Sequence, residues 1–287
     1  MKNRASSRWQ WSLLAIGLWA SVLSFNTVVA QDRAPAFRYD GYAAALGTYV
    51  DDQGMVNYRA LKAYPEKLEA FLSQVEQLDR KVYDRWTEKQ QIAFWINMYN
   101  ALTLKAIITH YPIKSSWKMS LLYPKNSIRQ ISGVWDKLEF TVMGRKMTLD
   151  NIEHDTLRKL FNEPRIHMAL VCAAMGCPPL LNEPYTGMEL GVQLDGQTRR
   201  FLRNPEKFRI ARDENRIYLS SIFKWFGEDF VQTYGRDGKF SGQDKAEGAL
   251  LNFISHHLDE KDRESLITGK YAIKHLDYDW SLNEQEK

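Results

Sequence analysis

The sequence predicts a single-domain α+β protein, with a helix-rich first half and short strands and hairpins in the second half. Two observations predict this class. In the first half, apolar residues recur every three to four positions, which is the spacing of a helix face. In the second half, short apolar and β-branched runs flank turn residues, as they do in β-hairpins. Together the two patterns indicate a mixed α+β architecture.

The N-terminal segment has the composition of a secretory signal peptide. Three basic residues precede an apolar run from Trp11 to Phe25, and the segment ends in Val28-Val29-Ala30. We expect residues 1–30 to be removed by cleavage before Gln31. The mature protein is then expected to be periplasmic or secreted, and to contact a membrane only through this segment.

Residues 31–287 are predicted to form one domain, because they contain no linker, repeat or low-complexity tract. Three of the 39 Lys and Arg residues lie in the signal segment, which leaves 36 against 35 Asp and Glu residues. A nearly neutral chain gives no electrostatic basis for binding nucleic acid. We therefore expect no nucleic-acid partner.

Three helices are predicted in the first half, over residues 39–50, 64–78 and 88–112. The third is apolar on nearly every side, which marks a buried helix, and it stops at Pro112. Asn97 and Asn100 lie one turn apart on it, and buried amides need hydrogen-bond partners. These side chains either tie down the backbone of a neighbouring loop or contact a substrate, and both roles are compatible if that loop is the floor of a site.

The second half is predicted to contain hairpins, strands and helices in alternation. Hairpins are expected at 137–149, turning at Met143-Gly144, and at 208–220, turning at 213–215. The other expected elements are a helix over 148–161, a buried strand from Ile166 to Ala174, a helix over 250–258 and a terminal strand over 271–283.

Glu153 and His154 stand out on the helix predicted at 148–161. On a helical wheel Glu153 falls near the centre of an apolar arc, and His154 lies at its edge; the arc consists of Leu149, Ile152, Leu157, Leu160 and Phe161. A carboxylate on such a face is costly unless a partner answers it. One explanation is a capping box, in which Asp150 is the N-cap and Glu153 the third helical residue. The alternative is a functional role, and the capping box leaves His154 unexplained.

The two cysteines of the chain lie five positions apart, in the stretch IHMALVCAAMGCPPL. A strand from Ile166 to Ala174 would place His167 and Cys172 on opposite faces. Cys177 follows that strand in a Gly- and Pro-containing loop, and such loops are favoured positions for chemistry. Cys177 is therefore the candidate nucleophile, and Cys172 is a candidate buried thiol.

A cysteine nucleophile needs a base or a positive field to form its thiolate. His154 is the candidate base, oriented by Glu153 or by Asn97. Three other interpretations use the same residues: a Cys172–Cys177 disulfide, which export to an oxidising compartment favours; a dithiol redox centre; and a zinc site with His154 and His167. The redox and zinc interpretations do not match the usual ligand and thiol spacings. No nucleotide-binding, zinc-protease or serine-hydrolase signature is present, so no cofactor or metal is predicted.

Five stretches of the sequence resemble a known family when they are taken together. They are FWINMYNALTL, LDNIEHDTLR, PRIHMALVCAAMGCPPL, PYTGMEL and the terminal LDYDWSLN. The resemblance as a whole extends over about Tyr49 to Asn283. This set is similar to DUF547, a domain family found in exported bacterial proteins and in plant proteins. The family carries no assigned activity. The resemblance implies that the Ile152–His154 helix, the asparagine helix and the cysteine segment form a shared centre.

Two functional hypotheses follow from these residues. In the first, the protein is a cysteine-dependent hydrolase or acyltransferase that acts on envelope peptides, with Cys177, His154, Glu153 and Asn97 as catalytic residues. Asn100 and Arg165 would then bind the substrate, because a guanidinium can recognise a carboxylate. In the second, the protein is a non-catalytic binding or scaffold module with a Cys172–Cys177 disulfide. Its partner would be a small molecule, a peptide or a glycan of the cell envelope.

Overall fold

Helices build most of the protein, and one of them runs through its core. The computed structural model describes residues 37–236, 238–240 and 242–286. The predicted signal peptide, residues 1–30, lies outside the described residues. Among the residues described, no helix combines the length and the apolar character that crossing a membrane requires.

The first half is helical, as predicted. Within the described residues the α-helices are α1 (Asp40–Tyr49), α2 (Tyr58–Ala63), α3 (Glu66–Glu76), α4 (Arg80–Tyr83), α5 (Glu88–His110), α6 (Arg158–Leu160), α7 (Leu190–Leu202), α8 (Ser221–Phe226), α9 (Val231–Tyr234), α10 (Lys245–Ser255) and α11 (Glu260–Thr268). The long α5 begins with a capping box between Thr87 and Gln90. It ends at His110 because Tyr111 precedes a proline and takes an extended backbone.

Two small sheets complete the α+β fold. Their strands are β1 (Phe140–Val142), β2 (Arg145–Met147), β3 (Phe208–Ala211), β4 (Arg216–Leu219) and β5 (Ala272–His275). The antiparallel pair β1–β2 turns at Met143 and Gly144, which both have positive φ, as a tight hairpin requires. In the second sheet β4 pairs antiparallel with β3 and parallel with β5. Both predicted hairpins are confirmed, and β5 is shorter than the terminal strand expected.

The strand predicted from Ile166 to Ala174 is wrong. Pro164–Met168 is a 3₁₀ helix, and the backbone that follows is irregular, with Ala173 at φ 59° and one isolated bridge from Ala174 to Leu282. A short apolar run marks burial but does not distinguish a strand from another buried segment. The argument that His167 and Cys172 point to opposite faces fails with it.

The helix predicted over 148–161 is also altered. Its central part, Asn151–Leu157, is a π-helix that continues into α6. Hydrogen bonds from residue i to i+5 widen each turn. The arc calculated for an α-helix therefore does not hold, and Leu160, which was placed on it, is 65% exposed.

Two hydrophobic clusters form the core, and together they make one compact unit from Phe37 onward. The first cluster surrounds α5 and includes α1 to α3. The second joins α8, α10 and the three-stranded sheet. Helix α7 contributes to both clusters, through Leu194 to the first and through Phe201 to the second. The single-domain α+β prediction is confirmed.

Two amide side chains of α5 hold loops of the chain in place. Asn97 donates to the carbonyl of Tyr185 at 2.8 Å and accepts from its N–H at 2.9 Å. Asn100 donates to the carbonyl of Ala169 at 3.0 Å and accepts from the N–H of Val171 at 2.9 Å. Each amide thus replaces the pairing that a neighbouring strand would provide. Asn100 fixes the backbone immediately before Cys172.

We expect Asn100→Ala to lower the free energy of unfolding by about 3 kcal/mol, because it leaves a buried N–H and a buried C=O without partners. Urea denaturation followed by circular dichroism measures the change. The exposed Asn162→Ala is the control and should change the value by less than about 0.5 kcal/mol. Equal stability of the two variants would show that the loop does not depend on this amide.

Candidate active site

A cavity of about 330 Å³ lies where the two hydrophobic clusters meet. Its volume suits a small ligand or one end of a larger one. Its walls combine aromatic, acidic, basic and thiol side chains. They are Tyr99, Arg129, Trp135, Asp150, Glu153, His154, His167, Leu170, Cys172, Cys177, Ile222, Trp225, Phe226, Tyr278 and Trp280.

The two thiols lie side by side on one wall. Cys172 and Cys177 are free, and their sulfurs are 2.7 Å apart. The Tyr278 hydroxyl donates to Cys177 Sγ at 3.0 Å, and the N–H of Cys172 donates to the same sulfur at 3.0 Å. Gly176 permits this approach, because a Cβ there would lie 2.6 Å from the Tyr278 ring. The glycine of the MGCPP loop thus brings the tyrosine to the thiol.

These contacts make the two thiols electrostatically unequal. Burial raises the pKa of Cys177, but the hydrogen bonds from the Cys172 side chain, Tyr278 and the backbone outweigh it and hold this pKa below its ordinary value. The pKa of Cys172 lies well above its ordinary value, because its thiol is hydrogen-bonded to Cys177 and is buried. Cys177 is therefore the sulfur that loses its proton at the lower pH, and Cys172 is the sulfur that keeps its proton to higher pH.

A buried lysine adds a positive group behind the thiols. Lys207 is 7% exposed, and its Nζ donates to the carbonyl of Met175 in the cysteine loop. Burial lowers the pKa of Lys207, while negative charge on Cys177 and Asp279 opposes that effect. A thiolate on Cys177 and an ammonium on Lys207 therefore stabilise each other.

Glu153 contributes a carboxylate to the cavity, although it is only 8% exposed. Of the two explanations considered for Glu153, the capping box with Asp150 is not formed, because Asp150 makes no side-chain cap bond. Thr148 and Asn151 exchange side-chain-to-backbone hydrogen bonds instead, at 3.1 and 3.2 Å. Within the described part of the chain, the side chain of Glu153 has no hydrogen-bond partner. Its carboxylate is thus available to a ligand or to solvent in the cavity.

His154 is held by a relay of charged groups. Asp229 binds Arg158 through both carboxylate oxygens, at 2.6 and 2.9 Å, and His167 Nε2 at 2.7 Å. Arg158 in turn lies 2.9 Å from His154 Nδ1. A guanidinium can only donate, so Nδ1 accepts and the neutral ring carries its proton on Nε2. His154 Nε2 lies 3.8 Å from an oxygen of Asp150, and both residues line the cavity.

Asp229 anchors this relay as an ionised carboxylate. Burial raises the pKa of Asp229, but hydrogen bonds from Arg158 and His167 outweigh it and hold this pKa well below its ordinary value. The Phe226 ring stacks on the ring of His167, with 4.1 Å between the ring centroids, and covers the His167–Asp229 pair. The relay therefore fixes the orientation of His154.

The structure brings together three of the six predicted site residues. Cys177, Glu153 and His154 line one cavity, whereas Asn97, Asn100 and Arg165 do not. The two asparagines bind loop backbone, which is the first of the two roles considered for them. Arg165 pairs with Glu163 at 2.5 Å and with Asp195 at 2.7 Å. The positive charge of Arg165 is thus already paired with carboxylates of the protein.

Several residues of the site were not singled out from the sequence. Tyr278, Arg129 and Lys207 are distant in sequence from the cysteines, so their proximity depends on the tertiary fold. The LDYDWSLN motif contains Tyr278 and was a usable signal for it. Across residues 37–236, 238–240 and 242–286, no group of three or more His, Cys, Asp and Glu side chains is arranged to hold a metal ion.

Comparison with known proteins identifies a domain but no activity. Residues 83–202 match the family model described as "Protein of unknown function, DUF547". No curated protein and no solved structure is significantly similar to the chain. The match contains four of the five motifs noted in the sequence and the three cavity residues Glu153, His154 and Cys177; the terminal LDYDWSLN lies beyond it. Residues 83–202 of the chain are therefore similar to the DUF547 domain family.

Proposed function

We propose that the protein is an exported cysteine-dependent hydrolase or acyltransferase that acts on peptides of the cell envelope, with Cys177 as its nucleophile. One observation carries the proposal. The sulfur of Cys177 accepts hydrogen bonds from Tyr278 and from the backbone and side chain of Cys172, in a cavity that also contains Glu153 and His154. The N-terminal segment supports export to the periplasm or beyond, and envelope peptides are proposed from that location.

The arrangement assigns different roles to Glu153 and His154, which line the same cavity as Cys177. Sequence reasoning proposed His154 as the base, but its Nδ1 accepts from Arg158, so its Nε2–H is available as a hydrogen-bond donor. Such a neutral donor suits the oxyanion that forms on a carbonyl oxygen. The Glu153 carboxylate has no hydrogen-bond partner among the described residues, and a carboxylate suits proton transfer. We therefore assign proton transfer to Glu153 and stabilisation of the oxyanion to His154.

The reaction then runs in two balanced steps. When Cys177 ionises, its proton passes to Glu153, and the sulfur attacks the carbonyl carbon. The bond to the leaving amine then breaks as Glu153 protonates that amine. The product is a thioester on Cys177. Glu153 next takes a proton from water, whose oxygen attacks the thioester, and the carboxylic acid leaves as the sulfur recovers the proton. An acceptor amine or alcohol in place of water gives acyl transfer.

We expect Cys177 to react with iodoacetamide at lower pH than an ordinary cysteine, because its lowered pKa increases the thiolate fraction. Tyr278→Phe should shift the labelling curve to higher pH, since it removes a donor that stabilises the thiolate. Labelling rates across pH, mapped by mass spectrometry, measure both effects. Tyr271→Phe, a tyrosine outside the cavity, should leave the curve unchanged.

The opposite outcome is equally specific. If neither cysteine reacts until a reductant is added, the two thiols form a disulfide in the purified protein. The enzyme proposal then fails, and the non-catalytic binding or scaffold module replaces it.

Glu153→Gln should slow hydrolysis of the thioester by about 100-fold or more, because it removes the proton acceptor for water. The acyl donor p-nitrophenyl acetate is a suitable probe, since its leaving group needs no proton. Intact mass spectrometry should show the acetyl thioester accumulating on Cys177 in this variant, and no adduct in Cys177→Ala. The control Asp155→Asn changes an exposed acid on the same helix, and its thioester should turn over as in the wild type.

His154→Gln tests the second assignment, because glutamine keeps a donor near the position of Nε2 but cannot act as a base. Partial activity with an unchanged pH profile supports hydrogen-bond donation. Complete loss of acylation, together with normal turnover in Glu153→Gln, would contradict both assignments and restore His154 as the base.

A further inference from the structure

We propose that Arg129 forms a carboxylate-binding subsite in the cavity, so that the substrate is an acyl compound with a free carboxylate, such as a peptide with a free C-terminus. The link to catalysis rests on the proposed function. The binding subsite itself rests on the surroundings of Arg129.

Aromatic rings hold the Arg129 side chain in place. Its guanidinium carbon lies 4.5 Å from the ring centroid of Tyr123, 5.3 Å from that of Trp135 and 5.1 Å from that of Trp280. The guanidinium also donates to the Tyr123 hydroxyl at 2.8 Å. Ring faces attract a cation without using its N–H groups. The cage therefore fixes the guanidinium and leaves most of its donors available.

Arg129 differs from the neighbouring arginines in lacking an anion. Arg158 binds Asp229, and Arg165 binds Glu163 and Asp195. Within the described residues, Arg129 has no carboxylate partner, and its Nε is buried without a hydrogen-bond acceptor. A partly buried cation with an unpaired N–H donor costs free energy unless a ligand accepts that hydrogen bond. A carboxylate matches the planar donors of a guanidinium better than any neutral group does.

The rest of the cavity agrees with such a ligand. The acidic residues that line the cavity, Asp150 and Glu153, repel a carboxylate. Among the described residues, Arg129 is the arginine that lines it. Trp135, Trp225 and Trp280 offer apolar surface for the body of the ligand. A volume of about 330 Å³ accommodates the end of a chain better than its middle. The carboxylate is thus expected at Arg129, with the acyl carbon near Cys177.

Calorimetric titration of the purified protein with a matched pair of probes tests the subsite. The probes are N-acetylphenylalanine and its carboxamide, which differ only in the carboxylate. We expect the acid to bind about tenfold or more tightly than the amide. Arg129→Gln should remove this preference, and Arg129→Lys should reduce it, because an ammonium keeps the charge but not the two parallel donors. Arg203→Gln, an exposed arginine outside this cavity, should leave it unchanged.

The outcomes separate the subsite from the catalytic proposal. Equal binding of acid and amide by the wild-type protein, or no saturable binding of the acid, overturns the subsite whatever the variants do. Because binding needs no thiol, Cys177→Ala should keep the preference for the acid. A retained preference in a protein whose cysteines never react would contradict the proposed function and leave the subsite standing.

Discussion

The site depends on a single pairing, that of the Asn100 amide with the backbone on either side of Leu170. Among the described residues, the segment before Cys172 has no strand partner, so its buried N–H and C=O groups need a substitute. Asn100 provides one from inside the most buried helix of the protein. Asn97 does the same for Tyr185 one turn earlier. The rigid α5 therefore sets the position of the cysteine loop.

The chemistry of the loop follows from how unequally its two sulfurs are surrounded. Donors converge on Cys177, and the proton on Cys172 is one of them. A low-dielectric wall strengthens these contacts, and Lys207 places positive charge behind them. On the opposite side, the relay from Asp229 through Arg158 fixes the tautomer of His154. The cavity thus combines a thiol, a hydrogen-bond donor and a carboxylate without a hydrogen-bond partner among the described residues, which are the groups that the proposed acyl transfer uses.

Local signals in the sequence predicted local structure well. The turn at Met143-Gly144 follows from residues that accept positive φ, and α5 follows from an uninterrupted apolar helix pattern. Cys177, Glu153 and His154 were identified because polar or reactive groups stood in unusual places. The strand predicted from Ile166 to Ala174 is not formed, because burial alone does not determine the backbone conformation. The helical-wheel prediction for residues 148–161 failed because it assumed an α-helix where the chain forms a π-helix. Tyr278 was missed because 101 residues of sequence separate it from Cys177.

The ultraviolet absorbance of the protein shows whether Cys177 forms a stabilised thiolate in the cavity. The measurement is the difference in thiolate absorbance between the wild-type protein and Cys177→Ser as pH is raised. We expect one thiolate that appears below the pH range of an ordinary cysteine and is absent from the variant, because hydrogen-bond donors favour the ionised sulfur. A difference that appears only in the ordinary range, or does not appear at all, would contradict it.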